Sequence, residues 1–154
     1  MSHPHRSSSF VRLTGAALLA TVFGWGVAQA EPIGFVKTAK GNASVVTGGQ
    51  TVKAQPGTPI QQGSVLKTGA QSSLGVTFKD NTVMSFGPST QFVLEEYLFA
   101  PAKGDAKLGG RLASGSLHYV SGLIAKTRPE NVSVKTPTGT IGVRGTRFVA
   151  VVSL

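Results

Sequence analysis

The chain has 154 residues, fifteen of them basic and six acidic, for a formal charge of +9, and it contains no cysteine. Without cysteine there is neither disulfide support nor thiol chemistry. The length suits one domain with one modest core, so strand pairing and burial must supply the stability.

Residues 1–30 read as an export signal. Arg6 and Arg12 make a basic n-region, Leu13 to Val27 an apolar h-region, and Ala28-Gln29-Ala30 a small-x-small cleavage site ahead of Glu31. Gly15, Gly24 and Gly26 interrupt the apolar run, which is short for a bilayer span. The expected mature chain is therefore residues 31–154, periplasmic, with no transmembrane segment after cleavage. Removing Arg6 and Arg12 leaves thirteen basic residues against six acidic ones, or +7. In an exported protein this favours an acidic protein or an anionic envelope polymer as partner rather than nucleic acid. Because the lysines are scattered rather than blocked, a solvated basic surface is the preferred reading.

Short β-type segments then follow one another. Phe35–Thr38 and Ala43–Thr47 come first, and Gly48-Gly49 signals a tight hairpin into Thr51–Lys53. Gln55-Pro-Gly-Thr-Pro reads as loop, because two prolines exclude a central strand. Ser64–Thr68 resumes the pattern up to Gly69. Between Ser72 and Phe86, Leu74, Val76 and Phe78 alternate on one side, and Asp80-Asn81 is a strong turn pair. A three-residue Asp80-Asn81-Thr82 loop would set Phe78 opposite Met84 and Val76 opposite Phe86. A two-residue loop would set Phe78 opposite Val83. The first register gathers the large apolar groups on one face and is preferred.

Gln91–Phe99 is compatible with a helix capped by Ser89 or Thr90, or with a strand. The β-type flanks favour a strand with Phe92, Leu94, Glu96 and Leu98 on one face. Pro101 to Lys107 reads as a mobile polar loop. Leu112–Val120 and Asn131–Thr136 return to the β pattern. In Lys135–Val152 a Pro-Thr-Gly turn leads into Gly139, Gly142 and Gly145 at intervals of three and then a Val-rich strand. These glycines are expected to mark bends around which the fold is organised. The expectation is all-β, arranged as a sandwich, roll or short solenoid.

Three blocks carry a resemblance: Leu66 to Thr90, Leu112-Ala-Ser-Gly-Ser-Leu117, and Val134 to Phe148. In this order and spacing they are similar to the FecR domain, the periplasmic β-rich portion of iron-dicitrate-type signal regulators. The likeness runs from about Gly41 to Val152. Full regulators of that family join a cytoplasmic anti-sigma segment, one transmembrane helix, this domain and a C-terminal signalling domain. Here an export signal stands where the cytoplasmic segment would be, and the chain stops soon after Val152. The resemblance implies partner binding without catalytic residues.

Candidate chemistry is sparse. His118 is the single histidine of the expected mature chain, and Ser116 with Asp80 or Asp105 could be written beside it, but no nucleophile-elbow pattern supports a hydrolase. One histidine with scattered carboxylates does not suggest a metal site, and no cofactor is expected. Asp80, Asn81, Gly139, Gly142 and Gly145 read as structural turn residues. Arg144 and Arg147 flank a Gly-Thr pair and are the candidate anion- or partner-binding residues. The structural reading, in which Gly145 turns the chain and Arg144 bonds to neighbouring carbonyls or to Asp80, is preferred, because these residues sit inside an otherwise strand-forming run. The functional reading is a non-catalytic binding or scaffolding module of the bacterial envelope. Its alternative is an accessory regulator of transmembrane signalling, of the iron-uptake type, acting through a separate membrane partner.

Overall fold

The structure, a computed structural model, describes residues 30–153. The export signal expected over residues 1–30 lies outside them save for Ala30. Twelve strands are present among the described residues: β1 (Gly34–Lys40), β2 (Ala43–Thr47), β3 (Gln50–Lys53), β4 (Pro59–Ile60), β5 (Val65–Thr68), β6 (Ser73–Phe78), β7 (Val83–Phe86), β8 (Gln91–Ala100), β9 (Asp105–Val120), β10 (Val132–Thr136), β11 (Gly139–Gly142) and β12 (Arg147–Val152). One short helix, α1 (Leu123–Thr127), lies between β9 and β10. No described helix is long and apolar enough to cross a membrane. The chain is all-β, as the pattern of short strands predicts.

All twelve strands join one curled sheet, in the order β3-β2-β5-β8-β9-β7-β6-β1-β4 with β10, β11 and β12 attached beside β9. Every pairing is antiparallel except β9 with β10. That parallel contact is reached through α1 and a 3-10 turn at Pro129–Asn131.

The sixteen-residue β9 organises the fold, rather than the glycine-spaced stretch near the end. Its first half pairs with β8 and β10, and its second half with β7 and β12. The two halves of the sheet meet over one apolar core, where Phe86 packs on Phe92 at 5.2 Å between ring centroids and Phe78 stacks on Tyr97 at 5.6 Å. Between the halves, Gly115 takes φ +84° beside a register shift against β8. A Cβ there would collide with the Thr90 backbone, so strand and neighbour approach more closely than any side chain allows.

Several expectations meet their structural answer here. Gly48 and Gly49 both have positive φ in a two-residue turn that sets Thr47 opposite Gln50, as the hairpin signal implies. The β6–β7 register differs from both forms considered. Val76 faces Met84 and Leu74 faces Phe86, and the Phe78 amide donates to the Thr82 carbonyl across Lys79-Asp80-Asn81. The loop starts one residue earlier than the preferred register, so each partner shifts by two. A shift of two keeps every side chain on its face, which is why apolar patterning could not exclude it.

Gln91–Phe99 is a strand, but its phase changes midway. Leu94 pairs with Gly110 and Glu96 with Gly109, so Glu95 is the bulged residue. Uninterrupted alternation would point Glu96 into the core, at the cost of an unpaired buried carboxylate. The bulge instead turns Glu96 outward and brings Tyr97 inside, leaving Leu98 48% exposed. Finally, Asp105 to Lys107 belong to β9 and pair with Leu98 to Ala100, so the expected polar loop shrinks to the Pro101–Gly104 turn.

Candidate functional site

Asp80 does more than make a turn. It is fully buried, and its carboxylate accepts from four donors. Oδ1 takes the Tyr97 hydroxyl at 3.1 Å and the Thr82 amide at 3.3 Å; Oδ2 takes the Thr82 hydroxyl at 2.6 Å and the Ile124 amide at 3.2 Å. Its carbonyl receives the Leu123 amide at 2.7 Å, and its own amide donates to the Tyr97 oxygen at 3.0 Å. Asp80 thus satisfies the first amides of α1 from 44 residues away. The β8 bulge is what delivers Tyr97 to this corner. Burial, and then the neighbouring Asp80 carboxylate, push the Tyr97 phenol well above its ordinary range.

The same corner admits no side chain at Gly122, whose added Cβ would collide with the Thr82 amide and the Asp80 carbonyl. Tyr119 lies nearby with its hydroxyl buried and without a hydrogen bond of good geometry. Burial raises that phenol, against a smaller lowering by the Thr82 and Ser121 hydroxyls close by.

With α1 held in place, an open cleft of about 450 Å³ forms between it and the loop that precedes β12. Ala125, Lys126, Pro129, Glu130, Arg144, Gly145 and Thr146 line it. Ser121 fixes the loop side, its hydroxyl donating to the Gly145 carbonyl at 2.6 Å and its amide to the Thr146 carbonyl at 2.8 Å. Buried Val143 anchors the start of the loop.

Of the two candidate arginines, Arg144 lines this cleft beside Lys126, whereas Arg147 begins β12 opposite Val120. Both are exposed, and neither forms an ion pair among the described residues. Asp80 is occupied by other donors and receives no guanidinium. Gly145 has φ +149° with open space where a Cβ would go. Gly139 and Gly142 lie in β11 without positive φ, after the Pro137-Thr138 turn. Asn81 has φ +65°, the left-handed backbone that suits it to the turn beside Asp80.

The acids are largely committed elsewhere. Glu95 holds Arg111 at 2.8 Å and Lys135 at 2.9 Å across β8, β9 and β10. The Lys135 hydrogen bond, with help from Arg111, keeps this carboxyl below its ordinary range despite partial burial. Glu96 pairs with Lys107, Glu31 with Lys79, and Glu130 with Arg128 at 3.8 Å. His118 sits exposed on the outer face of β9, paired in register with Ser85 and Val149, away from Asp80 and Asp105. Among the described residues, no three His, Asp or Glu side chains gather as metal ligands would. Sequence reading missed Lys126, which carries no pattern beyond its charge. It also missed the capping by Asp80, for which Asp80-x-Thr82 was the available signal.

A family model described as FecR protein matches residues 64–153, more than half of the chain. Strands β1 to β4 lie ahead of the match, yet β1 pairs with β6 and β2 with β5, so they are built into the same sheet. No curated protein and no solved structure matches the chain.

Proposed function

We propose that this chain, which belongs to the FecR family of signalling-regulator modules, works in the periplasm as a non-catalytic binding module. Its partner is an acidic protein segment or anionic envelope polymer, and the cleft between α1 and the Arg144 loop receives it. The observation that carries this reading is the pairing of Lys126 with Arg144 on two rigidly held walls. Both cations lack an ion-pair partner among the described residues, and Glu130, the one acid in the lining, is engaged by Arg128. The backbone under each cation is held in place, at Ile124 by Asp80 and at Gly145 by Ser121, so an anion entering the cleft has two positively charged side chains to meet.

Pull-down from envelope extract tests it. The partner recovered with the unaltered protein should be lost with Lys126→Glu/Arg144→Glu, while the thermal melt stays in place, and capture should weaken as salt rises. Equal recovery with the charge-reversed variant would overturn the assignment of the cleft. Export is tested separately: intact mass should give an N-terminus at Glu31, and a species retaining Arg6 and Arg12 would remove the periplasmic reading.

Family membership favours one second reading, an accessory regulator acting on a membrane signalling partner. Deleting the gene would then change the output of a transmembrane reporter, and the Lys126→Glu/Arg144→Glu variant would reproduce that change.

A further inference from the structure

β12 is an edge strand whose only partner among the described residues is β9. The Ser121 amide donates to the Thr146 carbonyl. By the alternation of an antiparallel ladder, Phe148, Ala150 and Val152 aim their backbone groups at β9, while Arg147, Val149 and Val151 aim theirs outward. Edges of this kind are usually blunted by charge, proline or a bulge. From Phe148 to Val152 there is none of these.

The same strand carries the two most exposed large hydrophobic residues described, Val149 at 64% and Val151 at 68%. Their register partners across β9 include no lysine, arginine or carboxylate: His118 lies beside Val149 and Ser116 beside Val151. The end of β12 and the tip of the β10–β11 hairpin line an open cleft of about 650 Å³.

We infer that β12 is a self-pairing edge and that its occupant is β12 of a second copy of this chain, running antiparallel about a two-fold axis at Ala150. Side chains directly opposite in a sheet share a face, so the pairing must join residues of equal parity. Centring on Ala150 sets Val149 against Val151 of the second copy and the reverse, covering all four valines together. It sets Arg147 against Ser153 of the second copy, so no two cations meet. Centring on Val149 would leave Arg147 facing Val151 of the second copy, a poorer match. Charge argues for the same edge: a chain of net +9, or +7 once Arg6 and Arg12 are removed, repels its own copies over most of its surface, and the stretch Phe148–Val152 holds no lysine or arginine to oppose their approach.

Light scattering during size-exclusion chromatography, on protein purified as the expressing cell delivers it, should show a dimer across the micromolar range that tightens with added salt. Val149→Glu/Val151→Glu and Val149→Lys/Val151→Lys should each be monomeric and still unfold cooperatively, with a thermal melt lowered only by the loss of dimer stabilisation, since the altered side chains are exposed in the single chain. An equimolar mixture of the two should recover the dimer. Because the chain has no cysteine, register can be read directly. Mild oxidation of mixed Val149→Cys and Val151→Cys proteins should give a covalent dimer several-fold faster than either alone. A monomeric unaltered protein, a dimer that persists in both charged variants, or a mixture that stays monomeric would each overturn the inference. Dimer formation does not involve Lys126 or Arg144, so it stands or falls independently of the proposed cleft.

Discussion

Gly122, which precedes α1, and Gly145, in the loop lining the basic cleft, are glycines for opposite reasons. Gly122 has φ −94° and ψ −157°, angles open to any residue, but there is no space for a Cβ against the Asp80–Thr82 backbone. Gly145 has unlimited space and a backbone, at φ +149°, that other residues rarely adopt. The first is dictated by packing between segments forty residues apart in the chain, and the second by local geometry. Substitution should therefore propagate from Gly122 into the core and remain local at Gly145.

The largest effect is expected at the carboxylate that holds the Gly122 side together. Asp80→Ala strips partners from the Ile124 amide, the Thr82 amide and hydroxyl and the Tyr97 phenol, and should cost on the order of 3–5 kcal/mol in denaturant unfolding. It should also abolish capture of the anionic partner, although Asp80 cannot touch that partner, because α1 loses its place. Retained capture in a folded Asp80→Ala protein would separate the corner from the cleft.

Gly122→Ala comes next. The neighbours it meets are backbone and cannot rotate away, so a loss of about 2–3 kcal/mol is expected from overpacking alone. Gly145→Ala should cost about 1–2 kcal/mol, the strain of an unfavourable backbone region. Equal losses at the two positions would break the contrast between space and conformation. A thermal melt on each variant decides it.

A smaller effect belongs to Glu95. Its folded-state pKa is lowered, so its contribution is complete above the ordinary carboxylate range and is lost as pH falls through the lowered value. Glu95→Gln should flatten the acid limb of the stability profile and change stability at neutral pH by less than ~1 kcal/mol, as expected for a pair near the surface. Tyr119→Phe should be smallest of all, neutral or slightly stabilising, because it removes a buried hydroxyl that has no good partner. A loss of about 2 kcal/mol in that variant would mean that Thr82 or Ser121 hydrogen-bonds to the hydroxyl after all.

By itself the sequence determined the β class, most strand positions and the family, since period-two patterning and turn residues act over a few neighbours and survive without knowledge of the fold. It also determined which residues carry charge and that neither disulfides nor thiols contribute. Whatever depends on two distant segments meeting was decided only by tertiary structure. Alternation placed Leu98 inside and left Tyr97 outside. The bulge at Glu95 reversed this, because keeping the Glu96 carboxylate in water outweighed an unbroken ladder. The β6–β7 hairpin kept the correct faces in the wrong pairing, since a shift of two residues is invisible to a period of two. Asp80 resembled an exposed turn residue until α1 and Tyr97 closed over it. The spaced glycines near the end drew attention by their pattern, while Gly115 and Gly122, set singly in the chain, sit where backbones touch. Close approach is a property of the partner segment as much as of the glycine, and the local sequence contains no record of that partner.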